Sequence, residues 1–585
     1  MNPQLDDYRA VSGQLPDKMR CWHLYGAGLN NLREVVVDIP AIKPDELLVR
    51  NDACGICFSD VKIVNLGADH PRLLGRNLKD HPVVLGHECA VTVVRVGDEL
   101  HDRFAIGQRF VVQPDVTYHG ADMSYGYTLD GGMSEYGVIG REILDGDAGC
   151  HLIPVPDGIG YVEAALAEPW ACVVAAYTYP NYRSGILDRG RLMIVDVDGK
   201  GSDSLFLERH CHRAGQVTTI ADVAGTDFGH VRRHLTGDDG FDDIVILGAP
   251  SPDQLTRIAS ALGRRGILNL VCDQLMDKPV LIDVGRIHYE QQLYVGAKSM
   301  TEAGEAYTSN QRQDLRPDGV AWFVGAGGPL GQMHLERAIM LDRPPKKIMV
   351  TDNNADRMAR LHERFDTMAA ARGIDLVLLN PDTEDSLPFR DGVGVGNHAP
   401  FDDIVFLVPN ADLLADSLPH LADGGVCNIF AGVNKGVMAN LDLGTMLARN
   451  QRIIGTSGSS IEDLRRTLSL IDAGTPTGQV SRAPMPESER TAVPRGPHSR
   501  AEISPNASLT AIGGLNALCD GLTAVKEGRF LGKSMIFPAI TRLPLTGLEE
   551  TKESLPAVYA KLRDGRYWTR EAEDALYATV VGTEQ

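Results

Sequence analysis

The chain has 585 residues, with 57 Lys+Arg against 78 Asp+Glu and a net charge of −21. That balance excludes a general nucleic-acid binder, which needs a basic face to displace counterions, and it excludes docking on anionic lipid. Hydrophobic residues make up 43% and charged residues 23%, which excludes a disordered chain and, at this length, points to about three to four domains.

The N-terminus, MNPQLDDYRAVSGQ, has no basic stretch followed by an apolar one, so no signal peptide is expected. No apolar run approaches the ~18 residues of a membrane span. Ten Cys are scattered without a dense framework, which suits a reducing compartment and leads us to infer a cytoplasmic protein. From about residue 20 to residue 155, the Val-rich runs ELLVRNDAC, VVLGHECAVTVVRVG, QRFVVQPD and GGMSEYGVI are bounded by Gly, Asp and Pro and predict a β-rich region. AALAEPWACVVAAYTY is long and Ala-rich and predicts a helix.

Two α/β blocks follow, one opening with RLMIVDVDGKGSDSLFLERHCHRAGQVTTIAD and the other with VAWFVGAGGPLGQMHLERAIMLDRPPKKIMVTD. They match again at FDDIVILGAP (241–250) and FDDIVFLVPN (401–410). Two further matches follow in the same order, ALGRRGILNLVC (261–272) with HLADGGVCNIFA (420–431), and YVGAKSM (294–300) with IIGTSGS (453–459). Ordered matches of this kind predict an internal duplication of one nucleotide-fold unit, the alternative being two unrelated units with generic strands. Residues 475–505, rich in Pro, Ser, Arg and Thr, predict an exposed polar loop. Beyond it, LTAIGGLNALCDGLTAVKEGRF predicts an amphipathic helix ending near Gly528, and GKSMIFPAI a strand.

In the second block, Gly325-Ala-Gly327-Gly328-Pro329-Leu330-Gly331 lies between a strand and a helix, and a second strand ends at Asp352. That context makes a dinucleotide loop of an otherwise weak pattern. Gly325 permits the tight turn, Gly327 leaves room for a pyrophosphate, and Gly331 lets the helix approach its strand. The helix N-terminus offers N–H groups to the phosphates. Asp352 accepts from both ribose hydroxyls and repels a 2′-phosphate, which predicts NAD over NADP. In the first block Val197 stands where Gly325 stands and Asp203 replaces Gly331, which predicts a copy without a tightly bound dinucleotide, although Asp222 keeps the ribose position.

Cys54-Gly-Ile-Cys57-Phe-Ser59-Asp60, Gly86-His87-Glu88 and Glu168-Pro169 combine thiolate, imidazole and carboxylate, a set that suits Zn²⁺. A redox Cys54/Cys57 pair, half a zinc ribbon, and a buried Cys beside a satisfied His are the alternatives. The mixed donors favour a catalytic site.

Taken together, G-I-C-x-S-D, G-H-E, G-G-M-S-E-Y, E-P, G-A-G-G-P-L-G and the tail KEGRFLGK resemble a zinc-containing medium-chain dehydrogenase/reductase of the sorbitol and threonine dehydrogenase branch. GTSGSSIEDLR and TAIGGLNALCDGLTAV are similar to the L-sorbose-1-phosphate reductase subgroup. The resemblance implies an α/β protein in which a β-rich GroES-like catalytic domain joins two tandem Rossmann-type, doubly wound parallel-sheet units. Residues 1–180 would begin the catalytic domain and 506–585 complete it. Residues 181–312 would form a degenerate Rossmann-like unit, 313–474 the NAD-binding unit and 475–505 the loop. Cys57, His87 and Glu168 match zinc ligands, and Glu88 matches the acidic residue beside the metal, which ligates directly or exchanges with water. Ser59 matches the hydroxyl that passes the substrate proton on, and Asp60 would orient His87. Two departures stand out: Lys62 occupies the place of a relay His, and DVTYHGADMSYGYTL contains no Cys, so one catalytic zinc per chain and no structural zinc is expected.

The implied reaction is hydride transfer between NAD(H) and a secondary alcohol or ketone of a polyol, sugar or sugar phosphate, in a cleft between the β-domain and the second α/β unit. Zinc acts as Lewis acid and Ser59 takes the proton. The rivals are a zinc-free enone or quinone reductase and a non-catalytic NAD sensor or assembly protein. A small-molecule substrate is the expected partner, with no nucleic acid and no membrane, in a homo-oligomer (dimer or tetramer).

Overall fold

The computed structural model describes residues 3–11, 14–197, 199, 211–273, 276, 278–383, 401–473 and 503–580. The chain forms two compact units: Met1–Val174 with Gly328–Met333 and Gly458–Gln585, and Ala175–Gly327 with His334–Ser457.

In the first unit the Val-rich runs pair as antiparallel strands. β1 (Lys18–Leu24) and β2 (Leu32–Asp38) pair with each other. β3 (Leu47–Ile56) is buried along its whole length and is followed directly by helix α1 (Phe58–Leu66). β4 (Glu88–Val96) pairs with β3, and β5 (Arg109–Val112) pairs with β4. β6 (Asp115–Tyr118) and β7 (Ala121–Ser124) form a separate hairpin. β8 (Tyr136–Ile139) pairs with β3, and β9 (Leu152–Pro154) with β5. The Ala-rich run is helix α2 (Tyr161–Ala175), with Pro169 inside it.

The first turn of α2 is capped from far along the chain. Glu573, on the helix Arg570–Val580, accepts from the N–H of Tyr161 and of Val162, each at 2.8 Å. Burial pushes its carboxyl up to about 7, although both backbone bonds pull the other way. Glu573→Ala is expected to cost about 1–2 kcal/mol, the worth of a lost helix cap, read as a lower denaturant midpoint at unchanged slope.

The second unit holds two parallel sheets. The first is built from β10 (Arg191–Asp196), β11 (Gln216–Ile220), β12 (Phe241–Leu247) and β13 (Leu262–Val271). β14 (Val280–Asp283) and helix α3 (Val284–Glu290) lead to its last strand, β15 (Leu293–Ala297). The second comprises β16 (Val320–Val324), followed by helix α4 (Pro329–Met340), then β17 (Lys347–Thr351), β18 (Asp375–Leu379), β19 (Phe401–Phe406) and β20 (Leu421–Ile429). β21 (Met438–Leu441) and helix α5 (Leu443–Ala448) lead to β22 (Arg452–Gly455). The orders are β11-β10-β12-β13-β15 and β18-β17-β16-β19-β20-β22. The second is the dinucleotide-binding order, with the reversal beside β16; the first shows the same order without a counterpart of β18 among the described residues.

The duplicated strands fall where the sequence matches place them, and the copies embrace reciprocally. β14 of the first pairs antiparallel with β21 of the second, Val280 opposite Leu441 and Asp283 opposite Met438. A Cβ on Gly296 of β15 would meet Leu447 of α5 at 2.9 Å, and one on Gly455 of β22 would meet the His288 backbone of α3 at 2.7 Å. A Cβ on Gly285 would strike the Asn434 carbonyl, and one on Gly444 the Met276 carbonyl. The glycine contacts of one copy recur at or within one residue of the homologous positions of the other, the pattern of an isologous interface within one chain. Ile282, Ile287 and Tyr294 share one hydrophobic core with Leu441, Met446 and Ile453.

The chain then returns to the first unit. β23 (Leu509–Gly514) and β24 (Lys533–Phe537) run parallel, β25 (Thr546–Gly547) closes the edge, and β24 pairs with β3. The predicted helix over LTAIGGLNALCDGLTAVKEGRF begins only at Leu518 and ends at Glu527, with Gly528 at φ 67°. Its first six residues are β23 instead, because the Gly513-Gly514 pair disfavours helix and β24 offers a pairing edge. Of the predicted polar loop, residues 475–502 lie outside the described residues. No described helix is long and apolar enough to cross a membrane.

Candidate metal and cofactor sites

The site is built where β3 ends and β4 begins. Cys57 caps α1, and its N–H donates to Asp60 Oδ2 at 2.9 Å, so the residue after the strand is pinned in extended conformation. The antiparallel register puts Gly55 opposite Glu88 and Cys54 opposite Cys89. A side chain at Gly55 would strike Glu88 Oε2. Gly86, at φ 97°, leads His87 into place, and a Cβ there would meet Cys54 Sγ at 2.6 Å. Ligand atoms of Cys57, His87 and Glu88 consequently lie within 4.8 Å of one another.

The surroundings are dry and charged. His87 Nδ1 lies 3.4 Å from Asp60 Oδ1. Burial opposes its imidazolium, but Tyr127, Asp60 and Cys57 outweigh that and hold its pKa well above the ordinary value. Glu88 Oε1 accepts from the Lys533 ammonium, which β24 delivers and which also donates to the Ile56 carbonyl at 3.4 Å. Burial opposes that ammonium too, yet Glu88 and Cys57 keep it firmly protonated. Glu168 on α2 lies outside the three-residue group. Its carboxyl is pushed up to about 7 by burial and then by Glu88 and Asp115, with His87 and Lys533 pulling it down. One turn along, Cys172 Sγ lies 3.8 Å from Glu168 Oε1. Ser59 is half-buried on the first turn of α1.

The three-residue group fits a divalent metal. Glu88 Oε2 is buried without a hydrogen-bond partner among the described residues, a costly state that a cation would relieve. Thiol, imidazole and carboxylate are also zinc's preferred donors. The structure separates Cys54 from this group: its thiol is buried in the core beside Cys89, which argues against a Cys54/Cys57 redox pair. Sequence reading missed Lys533, although a single Lys opening an apolar strand was the available signal.

The glycine loop follows β16. Gly325 has φ 77°, and a Cβ there would meet Val408 at 2.5 Å. The Gly327 N–H donates to Asp352 Oδ2 at 2.9 Å, and a Cβ on Gly327 would meet the same oxygen at 2.6 Å. Gly328 has open space around it, and Pro329 starts α4, with Leu330 and Gly331 in its first turn. The carboxylate at the end of the second strand therefore lies directly against the loop. In the first copy Asp222 instead accepts from Gly225 N–H at 2.9 Å in its own turn, while Asp203 lies outside the described residues.

The alcohol dehydrogenase GroES-like domain family matches residues 43–144. Mannitol-1-phosphate 5-dehydrogenase of Aliivibrio fischeri is 23% identical over 92% of this chain and 93% of its own length. L-sorbose 1-phosphate reductase of Klebsiella pneumoniae is 26% identical over 46% of this chain and 73% of its own. Among solved structures, 2R,3R-butanediol dehydrogenase from Bacillus subtilis superposes with a TM-score of 0.50 at 15% identity, covering 89% of this chain and 99% of that one, which establishes a shared fold. Residues 43–144 thus match that domain family, and the chain is similar to sugar-phosphate and polyol dehydrogenases and shares the fold of the butanediol enzyme. Domain match and relatives together support an oxidoreductase of the alcohol dehydrogenase type.

Proposed function

We propose that the protein is a zinc-dependent enzyme that transfers a hydride between NAD(H) and a secondary alcohol or ketone of a polyol, sugar or sugar phosphate. The convergence of Cys57, His87 and Glu88 carries this reading, and relatives named for mannitol 1-phosphate, sorbose 1-phosphate and sorbitol support the substrate class. Cys57 and His87 would hold the metal, with Glu88 and Glu168 as the carboxylates that complete or exchange in its shell. Bound zinc would supply Lewis acidity that lowers the pKa of a carbinol. Ser59, two residues from Cys57 on the same helix start, would take the carbinol proton. Asp60 orients the His87 ring, and Lys533 neutralises Glu88 so that the site does not accumulate negative charge. Gly325, Gly327, Gly328, Pro329, Leu330 and Gly331 would seat the pyrophosphate, and Asp352 would select NAD. One zinc per chain belongs to this reading, because the Asp115–Leu129 segment carries no Cys. So does a cytoplasmic location, in keeping with nine cysteines that are free among the described residues. Homo-oligomerisation would use surfaces other than β22, which α3 covers.

Chelation is expected to abolish polyol oxidation while NAD binding persists; a metal-free preparation with full activity sinks the reading. Zinc uptake should also depend on pH in a definite direction. Without metal, Glu168 keeps its proton up to about 7 and His87 is held protonated above its ordinary range. Zinc displaces those protons, so its apparent affinity should fall as pH drops below about 7. Titration against a competing chelator measures this, and Glu168→Gln should make the slope shallower.

A further inference from the structure

The molecule is strongly acidic, yet three basic side chains gather beside the metal-site residues. Lys62 lies on α1 one turn beyond Ser59, and His70 and Arg72 follow that helix. They form one cluster: His70 is held below its ordinary pKa first by burial and then by the positive charges of Arg72 and Lys62. Tyr127 joins the cluster to the site. Its ring centre lies 5.4 Å from that of His87, 5.8 Å from that of His70, and 5.2 Å from the Arg72 guanidinium carbon. Arg72 is also within electrostatic reach of Cys172, the neighbour of Glu168.

Arg72 donates from Nη1 to Asp115 Oδ1 at 2.8 Å, and this is its one side-chain hydrogen bond among the described residues. Its side chain is 43% exposed. A guanidinium carries five N–H donors, so donors beyond the one given to Asp115 remain for a planar or tetrahedral anion. The cluster is separated from His87 by the width of one tyrosine ring. An open-chain polyol ester carries its terminal dianion a few bonds from a secondary carbinol, which matches that separation. The net charge of −21 repels dianions at long range, so an acidic enzyme needs local cations to hold one.

We propose that Arg72, with Lys62, receives the phosphate of the substrate, and that the protein therefore acts on phosphorylated polyols in preference to free ones. The proposal rests on the zinc dehydrogenase reading above and names its substrate class. Asp115 keeps the Arg72 fork oriented, and the Tyr127 ring sets the distance between the anion and the reacting carbon.

The test compares a hexitol 1-phosphate with the same hexitol unesterified, on the zinc-loaded protein and on Arg72→Ala, Arg72→Lys and Lys62→Ala. The phosphate ester is expected to be preferred by the parent protein. Arg72→Ala should raise its KM roughly 10- to 100-fold, the worth of one or two charge-assisted hydrogen bonds, with kcat little changed. Kinetics on the free hexitol should stay the same, and Arg72→Lys should recover part of the loss. Equal use of ester and free hexitol by the parent protein overturns the proposal and leaves the dehydrogenase reading standing. An equal fall on both substrates in Arg72→Ala overturns it too, since that is a structural effect. Turnover of neither substrate sinks the dehydrogenase reading. The cluster is then judged by calorimetric binding of inorganic phosphate: binding lost in Arg72→Ala supports it, and binding unchanged or absent overturns it.

Discussion

Cys57→Ala should lower kcat/KM for a polyol substrate by at least about a thousandfold, because several kcal/mol of transition-state stabilisation depend on a metal this thiolate would hold. The fold should survive. Asp60 still caps the first turn of α1 through its bond to the residue-57 N–H, and that bond is made to the backbone. Helix content and NAD binding are the controls. The neighbouring Cys54→Ala is the informative contrast. Its thiol sits in the core beside Cys89 and is not one of the Cys57, His87 and Glu88 group, so the same small change there should affect stability and leave turnover largely intact. If both variants lose activity together, a Cys54/Cys57 pair is at work and the metal reading fails. If neither does, the protein is no zinc enzyme.

The grouping of Cys57, His87 and Glu88 was legible in the sequence for a local reason. Cys57 ends one strand and His87-Glu88 begins its antiparallel neighbour, so two short motifs carry most of the group, and one strand register closes it. Lys533 reaches the same point from a β24 that lies 445 residues from Glu88, and no local pattern announces such a register. Glu168 comes from a conspicuous Glu-Pro motif on a separate helix, and its carboxylate lies outside the three-residue group. In the nucleotide units the strands betrayed the duplication because buried parallel strands repeat apolar runs faithfully. The β14–β21 pairing that joins the copies lies in VLID and MANL, which share no run, so the embrace was invisible. Residues 509–514 were misread as helix because apolar spacing in a short segment fits either period, and the partner strand decides.

That embrace supplies the second large effect. Gly455→Leu should destabilise the nucleotide units by roughly 3 kcal/mol, at the upper end of overpacking costs, because its Cβ meets the His288 backbone at 2.7 Å and backbone gives way poorly. The mirrored Gly296→Leu meets Leu447, a side chain that can rotate aside, so it should cost less. The two sites wedge one shared core, in which Ile287 of α3 and Met446 of α5 take part, so the double variant should fall short of the sum. Thermal unfolding followed alongside NAD binding measures all three. The first copy, whose Asp222 is spent on its own turn, would then act as a permanent internal partner that covers β22 of the copy carrying the glycine loop. If instead Gly296→Leu, introduced in the first copy, melts that copy alone and leaves NAD binding at its original midpoint, the copies are merely neighbours and the first must be retained for some other reason.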